Sequence, residues 1–327
     1  MMPFTLERPA SLPAALRADA EFIAGGTDMV QLMQEHIRTP GRLIDLSDVL
    51  PRGILVDTDR ARIDAGTSME AAATYTPLSE AAPAVTMALI ESASPQVRNL
   101  ATMGGNLLQR TRCGYFRDVA VAACNKRRPG SGCAAIGGEN RNFAVLGTSE
   151  QCIATHASDL AVALVALRAE LDLDGPQGAR HIALSDLHRS AADRPEIETT
   201  LRAGEVITAI EIPLDAASAN SVYVKVRDRA AFEWALLSAA VGLRIEGGKI
   251  TQARIAMGGV GTRPWLLDRV ESALLGCAPT RAAVAEAVAL ATEGARGWGH
   301  NDFKITQMPV LLTRAIELAA AQAGERA

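Results

Sequence analysis

Thr102-Met103-Gly104-Gly105-Asn106 opens a polar stretch, residues 102–159, that holds four of the five cysteines in the chain. The stretch also carries many arginines and has little apolar periodicity of its own. A polar loop of this length in a compact protein is usually functional or disordered. Four thiols favour a function, because a metal bound by thiolates can order a loop that has no core. We therefore expect the rest of the chain to be organised around this stretch.

The spacing of the four cysteines does not by itself identify a metal. Cys113, Cys124, Cys133 and Cys152 are separated by 10, 8 and 18 residues. The close cysteine pairs of structural zinc sites and the compact cysteine run of bacterial ferredoxins are both absent from this sequence. Four thiolates satisfy the ligand count of tetrahedral zinc and of a 4Fe–4S cluster, so both remain open at this point.

Basic residues surround the cysteines: Arg110, Arg112, Arg117, Lys126, Arg127, Arg128 and Arg141. Positive charge near thiolates lowers their pKa and favours an anionic cluster. The alternatives are that the cysteines are buried apolar filler, and that the arginines form a solvated face or a phosphate-binding patch. His156, near the end of the stretch, is more often a hydrogen-bonded structural histidine than a metal ligand.

Composition limits the class of protein. The chain has 327 residues, of which 48% are hydrophobic and 21% are charged, as in soluble globular proteins of two or three domains. The net charge of −4 gives no indication of binding to nucleic acid or to a membrane surface. We find neither an apolar stretch of membrane-spanning length nor a secretory signal at the start. Cysteines grouped in one loop indicate metal binding in a reducing compartment rather than a disulfide framework.

A glycine turn near the start of the chain suits a phosphate group. Residues 21–24 predict a short strand, Gly25-Gly26-Thr27-Asp28 a turn, and the apolar residues from Met29 to Ile37 a helix capped by Thr27 or Asp28. Glycines permit a positive φ and close approach of a ligand, and a helix N-terminus attracts phosphate. An ordinary tight turn is the alternative, and the pattern is not the G-x-G-x-x-G of a Rossmann unit. Gly104-Gly105 forms a second such turn, which could hold the other end of a large ligand.

The other elements suggest an α+β protein. The predicted strands are 42–46, 62–66, 143–146, 152–154, 169–173, 181–185 and 206–213. Helical sequence runs from about 67 to 92, and Ser158 is the expected cap of a helix over 160–167. After a boundary at 213–221, strands are predicted at 222–227, 235–245 and 249–257, and helices near 266–275, 279–292 and 309–323. Strands followed by helices indicate helices packed on one face of an antiparallel sheet.

Several of these segments resemble a known family. Ala24-Gly25-Gly26-Thr27-Asp28, the run from Arg98 to Asn106, and Ser158-Asp159 resemble the FAD-binding subunit of molybdenum-containing hydroxylases, the xanthine dehydrogenase family. The segments around the four cysteines, and Lys225-Val226-Arg227-Asp228-Arg229-Ala230, are similar to the FAD subunit of bacterial periplasmic-type aldehyde oxidoreductases, which carries an additional 4Fe–4S cluster. The resemblance spans almost the whole chain.

The resemblance implies an α+β fold with two domains. Residues 1–216 would form the two-subdomain FAD-binding domain, with subdomains at about 1–58 and 59–216 and the 4Fe–4S loop at 107–152. Residues 217–327 would form a C-terminal domain like that of carbon monoxide dehydrogenase flavoproteins, with helices on an antiparallel sheet.

The resemblance also implies site residues. The pyrophosphate-binding loop would be Ile23, Ala24, Gly25, Gly26, Thr27, Asp28, Met29, Val30 and Gln31. The second FAD-binding turn would comprise Thr102, Gly105 and Asn106, with Asp159 as an acidic flavin contact and Val206 and Lys225 near the isoalloxazine ring. The cluster ligands would be Cys113, Cys124, Cys133 and Cys152. Ala157 stands where the family pattern leads us to expect proline, which affects local rigidity and not ligation.

The implied protein is an electron-transfer subunit of a heterotrimer, with FAD and a 4Fe–4S cluster and with no catalytic residue of its own. A large molybdenum-cofactor subunit would oxidise an aldehyde, a small subunit would carry two 2Fe–2S clusters, and this chain would pass electrons from FAD to an external acceptor. It would be cytoplasmic, or periplasmic by export together with a partner that bears a signal.

Two alternatives to this function remain open in the sequence. A free-standing FAD-dependent reductase would not need the cysteine loop. A zinc-stapled binding protein that grips nucleic acid would suit paired cysteines and a positive net charge, and the sequence has neither.

Overall fold

In a computed structural model, the chain folds into three β-sheets with helices packed around them. The structure describes residues 1–17, 19, 21–191 and 194–325. The predicted α+β class is confirmed. In the described residues, no helix is long and apolar enough to cross a membrane.

The first sheet is parallel, and its strands lie in the order β1-β3-β2. Its elements are β1 (Thr5–Glu7), α1 (Leu12–Ala15), β2 (Glu21–Ile23), α2 (Met29–Gln34) and β3 (Arg42–Asp45). Helix α2 ends earlier than the apolar spacing predicts, because His36 adopts a left-handed φ of 57°. The small core beneath this sheet contains Ala15, Ile44 and Leu46.

The second sheet is antiparallel, in the order β4-β5-β8-β6-β7. Its strands are β4 (Ile54–Val56), β5 (Arg60–Asp64), β6 (Glu170–Asp174), β7 (Arg180–Ala183) and β8 (Val206–Pro213). The accompanying helices are α3 (Met69–Ala73), α4 (Thr76–Ala81), α5 (Pro83–Ile90), α6 (Pro95–Leu100), α7 (Met103–Leu107), α8 (Gly114–Arg117) and α9 (Asp159–Ala166). Since β4 pairs with β5, the first two sheets divide between residues 45 and 54, before the predicted subdomain boundary near 58.

The third sheet is also antiparallel, in the order β12-β11-β10-β9. Its elements are α10 (Ala216–Ala219), β9 (Ser221–Val226), β10 (Leu237–Glu246), β11 (Lys249–Gly258), β12 (Trp265–Leu266), α11 (Asp268–Leu274), α12 (Arg281–Ala289) and α13 (Phe303–Glu325). The helices α11 and α13 cover one face of this sheet, and α5 and α9, which accompany the second sheet, cover the other face. Alternate residues of β10 therefore enter two different cores: Ala240 packs with α9, and Val241 packs with α13.

The cysteine loop has a small core of its own, contrary to the sequence-based expectation that a metal alone would order it. Phe116 and Ile153 are almost fully buried, and Phe143 is 8% exposed. The strands predicted at 143–146 and 152–154 do not form. These apolar residues are instead fixed by separate backbone hydrogen bonds, such as those from the amides of Val145 and Leu146 to the carbonyl of Val260.

Candidate cofactor cleft and cysteine cavity

A cleft of about 630 Å³ lies where the first sheet, the second sheet and the cysteine loop meet. Thirteen of the fifteen residues that the sequence assigns to FAD line it. The two others are Val30, whose side chain is 38% exposed, and Lys225, which lies behind Asp159. Residues that are almost 200 positions apart in the sequence thus form one surface.

The first glycine turn packs against the chain that leads into the second. A Cβ at Gly25 would lie 1.8 Å from the carbonyl oxygen of Leu100, so only glycine fits this approach. Gly26 has a φ of +70°, which turns the backbone from β2 into α2. This contact brings the two turns close together in the lining of the cleft, whereas the sequence-based hypothesis places them at opposite ends of a large ligand.

The second turn is the first turn of α7. Thr102 caps this helix, and its Oγ1 accepts a hydrogen bond of 3.1 Å from the amide of Gly105. A Cβ at Gly104 would meet the Cβ of Ala65 at 2.8 Å, so this glycine allows α7 to pack on the sheet. Asn106 accepts a 2.6 Å hydrogen bond from Ser158 Oγ, which also caps α9 as the sequence predicts.

Asp28 stands at the N-cap position of α2, which the sequence assigns to Thr27 or Asp28, but its side chain makes no capping hydrogen bond. Its carboxylate instead accepts hydrogen bonds from the amide of Arg110, at 2.9 Å, and from Arg117 Nη2, at 2.8 Å. Arg112 Nη1 lies 2.8 Å from Asp28 Oδ1, the oxygen that also accepts from Arg117. One carboxylate in the first glycine turn therefore holds three residues at the start of the cysteine loop.

Asp159, at the N-terminus of α9, takes part in a buried network. Its Oδ2 lies 2.7 Å from Lys225 Nζ and its Oδ1 accepts a 2.5 Å hydrogen bond from the hydroxyl of Tyr223. The side chain of Lys225 is 1% exposed and also donates to the carbonyl of Glu91. Burial, then the charge of Asp159, raises the pKa of Tyr223 well above its ordinary value. Lys225 and Asp159 thus form a buried pair and not a surface ion pair.

The four cysteines of the loop line a second, smaller cavity. All four are free thiols, and all except Cys133 are buried. Cys124 and Cys133 lie opposite each other in an isolated antiparallel bridge. The amides of Phe116 and Ala154 point at sulfur, at 3.4 Å from Cys113 Sγ and 3.5 Å from Cys152 Sγ respectively.

Burial affects the protonation of these thiols. It raises the pKa of Cys113 to about 12, and the three other thiols add to this effect. Burial also raises the pKa of Cys152, against the opposing charge of Lys126. Thiols of this kind keep their protons at neutral pH unless a bound metal displaces them. In the described residues, no three His, Cys, Asp or Glu side chains are grouped as the ligands of one single metal ion. A 4Fe–4S cluster does not require such a group, because each of its irons takes one thiolate.

Four of the basic residues around the cysteines turn inwards, so they do not form a solvated face. Arg112 and Arg117 pair with Asp28, and Arg110 and Lys126 pair with Glu198. Lys126 and Ala154 line both the cleft and the cysteine cavity, so they form part of the wall between the two.

Glu198 and His188 are among the cleft residues that sequence reasoning missed. His188 Nε2 donates a 2.8 Å hydrogen bond to the carbonyl of Leu107, and its ring lies edge-on to that of His156 with centroids 4.3 Å apart. Burial lowers the pKa of both histidines, so both are neutral at pH 7. No local pattern around either missed residue marks it, because its partners lie far away in the sequence.

Comparison with known proteins finds a matching family for each of the two parts of the chain. Residues 1–215 match the family described as FAD binding domain in molybdopterin dehydrogenase, and residues 222–319 match the CO dehydrogenase flavoprotein C-terminal domain. The aldehyde oxidoreductase FAD-binding subunit PaoB of Escherichia coli (strain K12) is 41% identical over 281 residues, which are 84% of this chain and 86% of the relative.

More distant relatives cover the full length. The carbon monoxide dehydrogenase medium chain of Afipia carboxidovorans is 28% identical over 98% of both chains. A crystal structure of Cu,Mo-CO dehydrogenase, in its cyanide-inactivated form, is similar in fold, with a TM-score of 0.75 and 27% identity over 99% of this chain and 100% of the other.

Proposed function

This chain belongs to the family of FAD-binding domains of molybdopterin dehydrogenases and is an oxidoreductase subunit, and we propose that it is the FAD- and 4Fe–4S-binding electron-transfer subunit of a molybdenum-containing aldehyde oxidoreductase. The observation that carries the proposal is the convergence of four cysteines, three of them buried, on one cavity that shares a wall with the glycine-lined cleft.

The cleft is where FAD would bind. The glycine turns at Gly25-Gly26 and Gly104-Gly105 would hold the pyrophosphate, because backbone amides there can approach it without side chains in the way. Asp159 and Val206 would lie near the flavin, with Lys225 acting through Asp159. FAD, when bound, supplies two-electron chemistry that can also proceed one electron at a time. The task of this chain is to bind, orient and tune it.

The cysteine cavity is where the 4Fe–4S cluster would bind, with Cys113, Cys124, Cys133 and Cys152 as ligands. Four thiols match the ligand number of such a cluster, and amide groups that point at two of the sulfurs would stabilise thiolate charge. Inward-facing Lys126 adds positive charge beside the cavity.

The proposed partners follow from the relatives. PaoB is named as the FAD-binding subunit of an aldehyde oxidoreductase, and the carbon monoxide dehydrogenase relative is named a medium chain. We propose a heterotrimer with a large molybdenum-cofactor subunit and a small 2Fe–2S subunit, which passes its electrons to an external acceptor.

The compartment and the domain division are also proposals. The protein would be cytoplasmic, or periplasmic by export with a partner. We also propose the division into an FAD-binding domain at 1–216 and a C-terminal domain at 217–327.

Analysis of the chain purified without oxygen tests this proposal. We expect one FAD that acid precipitation releases, four iron and four sulfide per chain, and the electron paramagnetic resonance signal of a 4Fe–4S cluster after reduction by dithionite. FAD without iron would instead indicate a free-standing reductase, and zinc without colour would indicate a zinc-stapled protein. Co-purification with the two partner subunits from cells tests the heterotrimer.

A further inference from the structure

The wall between the two cavities contains a buried cation. Lys126 lies two residues after Cys124, and its side chain is 7% exposed. It lines both the cysteine cavity and the cleft, as does Ala154, whose amide points at Cys152 Sγ. These two residues thus form part of the wall between the proposed cluster site and the proposed flavin site.

The position of the Lys126 ammonium group is fixed by two acceptors. Nζ donates hydrogen bonds of 2.9 Å to the carbonyl of Pro195 and of 2.8 Å to Glu198 Oε1. The other carboxylate oxygen of Glu198 pairs with Arg110. The group is therefore two cations that share one anion, with a net positive charge at the wall.

A fixed charge at this wall acts strongly on a cluster in the cavity. Reduction of a cluster adds one electron and thus one negative charge, while its four thiolate ligands stay in place. A buried cation nearby stabilises the reduced form more than the oxidised form, because burial limits screening by water. Arg128, in contrast, is exposed, so that solvent screens its charge although it follows the same cysteine.

We infer that Lys126 sets the reduction potential of the cluster in this chain, and that Glu198 limits its effect. Lys126 is thus a tuning residue that holds charge at the wall between cluster and flavin, and it is not a ligand of either. The inference rests on the proposed function, because it requires that the four cysteines bind a 4Fe–4S cluster.

A redox titration of the cluster in three variants tests the inference. The cluster potential is measured by electron paramagnetic resonance with dithionite as the reductant, and iron and FAD contents are measured on the same samples. We expect Lys126→Gln to shift the potential to more negative values. Glu198→Gln, which removes the shared anion, is expected to shift it in the opposite direction. Arg128→Gln is the matched control, since it removes an exposed charge from the same loop, and is expected to leave the potential near that of the wild type.

Opposite shifts in the two buried variants would support electrostatic tuning, because general damage to the loop would move both in the same direction. Shifts of the potential in the same direction in both variants, or no shift in Lys126→Gln with iron retained, would overturn the inference. If Lys126→Gln loses its iron, the test rests on Glu198→Gln: a shift of the cluster potential to more positive values would support the inference, and any other result would overturn it. A wild-type chain without cluster iron would overturn the proposed cluster as well, which distinguishes the two failures.

Discussion

Asp28 Oδ1 lies 2.8 Å from Arg117 Nη2, and this pair joins the first glycine turn to the cysteine loop across 89 residues of sequence. Arg117 is 11% exposed and also contacts Glu35 at 3.1 Å, so it connects two points of the α2 region to the loop. The turn that would hold FAD pyrophosphate and the loop that would hold the cluster are therefore one mechanical unit.

Replacement of this arginine is expected to weaken both sites. Arg117→Gln removes the ion pair between Arg117 and the largely buried carboxylate of Asp28. We expect this loss to lower the free energy of unfolding by about 2 kcal/mol. Urea denaturation followed by circular dichroism measures this loss, and fluorescence titration with FAD measures the expected fall in affinity. Arg60→Gln is the control, because Arg60 is 57% exposed in its pairs. An unchanged FAD affinity in Arg117→Gln would mean that the turn does not depend on the loop.

The four cysteines of the loop are expected to be required for iron binding. Ser in place of Cys113, Cys124, Cys133 or Cys152 is expected to remove most of the iron, and to weaken assembly with the partner subunits. The small core of Phe116, Phe143 and Ile153 should keep part of the loop in place, so we expect protease cleavage to start in the exposed segment 128–130. Iron analysis, limited proteolysis with mass mapping, and pull-down of the partners measure these effects.

Cys277 provides the control for these cysteine variants. It follows α11, far from the cysteine loop in sequence, and its thiol lies 3.6 Å from the carbonyl oxygen of Ala273. We expect Cys277→Ser to retain iron and activity. A loss of iron in that variant, or retention of iron in all four loop variants, would contradict the ligand set.

Local patterns in the sequence were sufficient for part of this architecture. The two glycine turns, the Ser158 cap and three of the four strands of the third sheet follow from short-range rules that the structure satisfies. The short strand β12 is not predicted, and it lies at the start of a segment that the sequence assigns to a helix. The failures involve long-range partners. The sequence predicts Thr27 or Asp28 as the cap of α2. Asp28 takes the N-cap position, but nothing nearby in the sequence reveals that its carboxylate accepts a hydrogen bond from an amide 82 residues away. Residues 143–146 have strand composition, but the amides of Val145 and Leu146 both donate to the carbonyl of Val260, and this segment forms no strand ladder.

The pair of Asp159 and Lys225 is expected to act on both stability and flavin. Asp159→Asn leaves the Lys225 ammonium buried without its counter-charge, at a cost of about 3 kcal/mol of unfolding free energy. Asp159→Asn combined with Lys225→Met removes both charges and should cost less. Denaturation of the single and double variants measures the difference. Lys225→Met should also move the flavin potential to more negative values, and an unchanged potential and flavin content would contradict a role of Lys225 in flavin tuning.

Lys304 gives a prediction for the dependence of stability on pH. Its side chain is buried on α13, where Nζ donates a 2.6 Å hydrogen bond to the carbonyl of Gly259. Burial, together with the charge of Arg141, lowers the pKa of Lys304 to about 7, from an ordinary value of 10.5. Between these two values the unfolded chain binds more protons at this lysine than the folded chain does. The free energy of unfolding that Lys304 contributes should therefore rise with pH across this interval, and below pH 7 the full cost of burying the charge should remain.

Comparison of the wild type with Lys304→Met isolates this effect, because methionine keeps most of the volume and does not titrate. We expect the stability of the wild type relative to the variant to increase steadily from pH 7 to pH 9, as measured by urea denaturation at each pH. Lys249→Met removes an exposed lysine from β11 and serves as the control, with no such trend expected. A difference between wild type and Lys304→Met that stays constant over this range would show that Lys304 keeps its ordinary pKa in the folded chain, and that its ammonium group is stabilised by more than the carbonyl of Gly259.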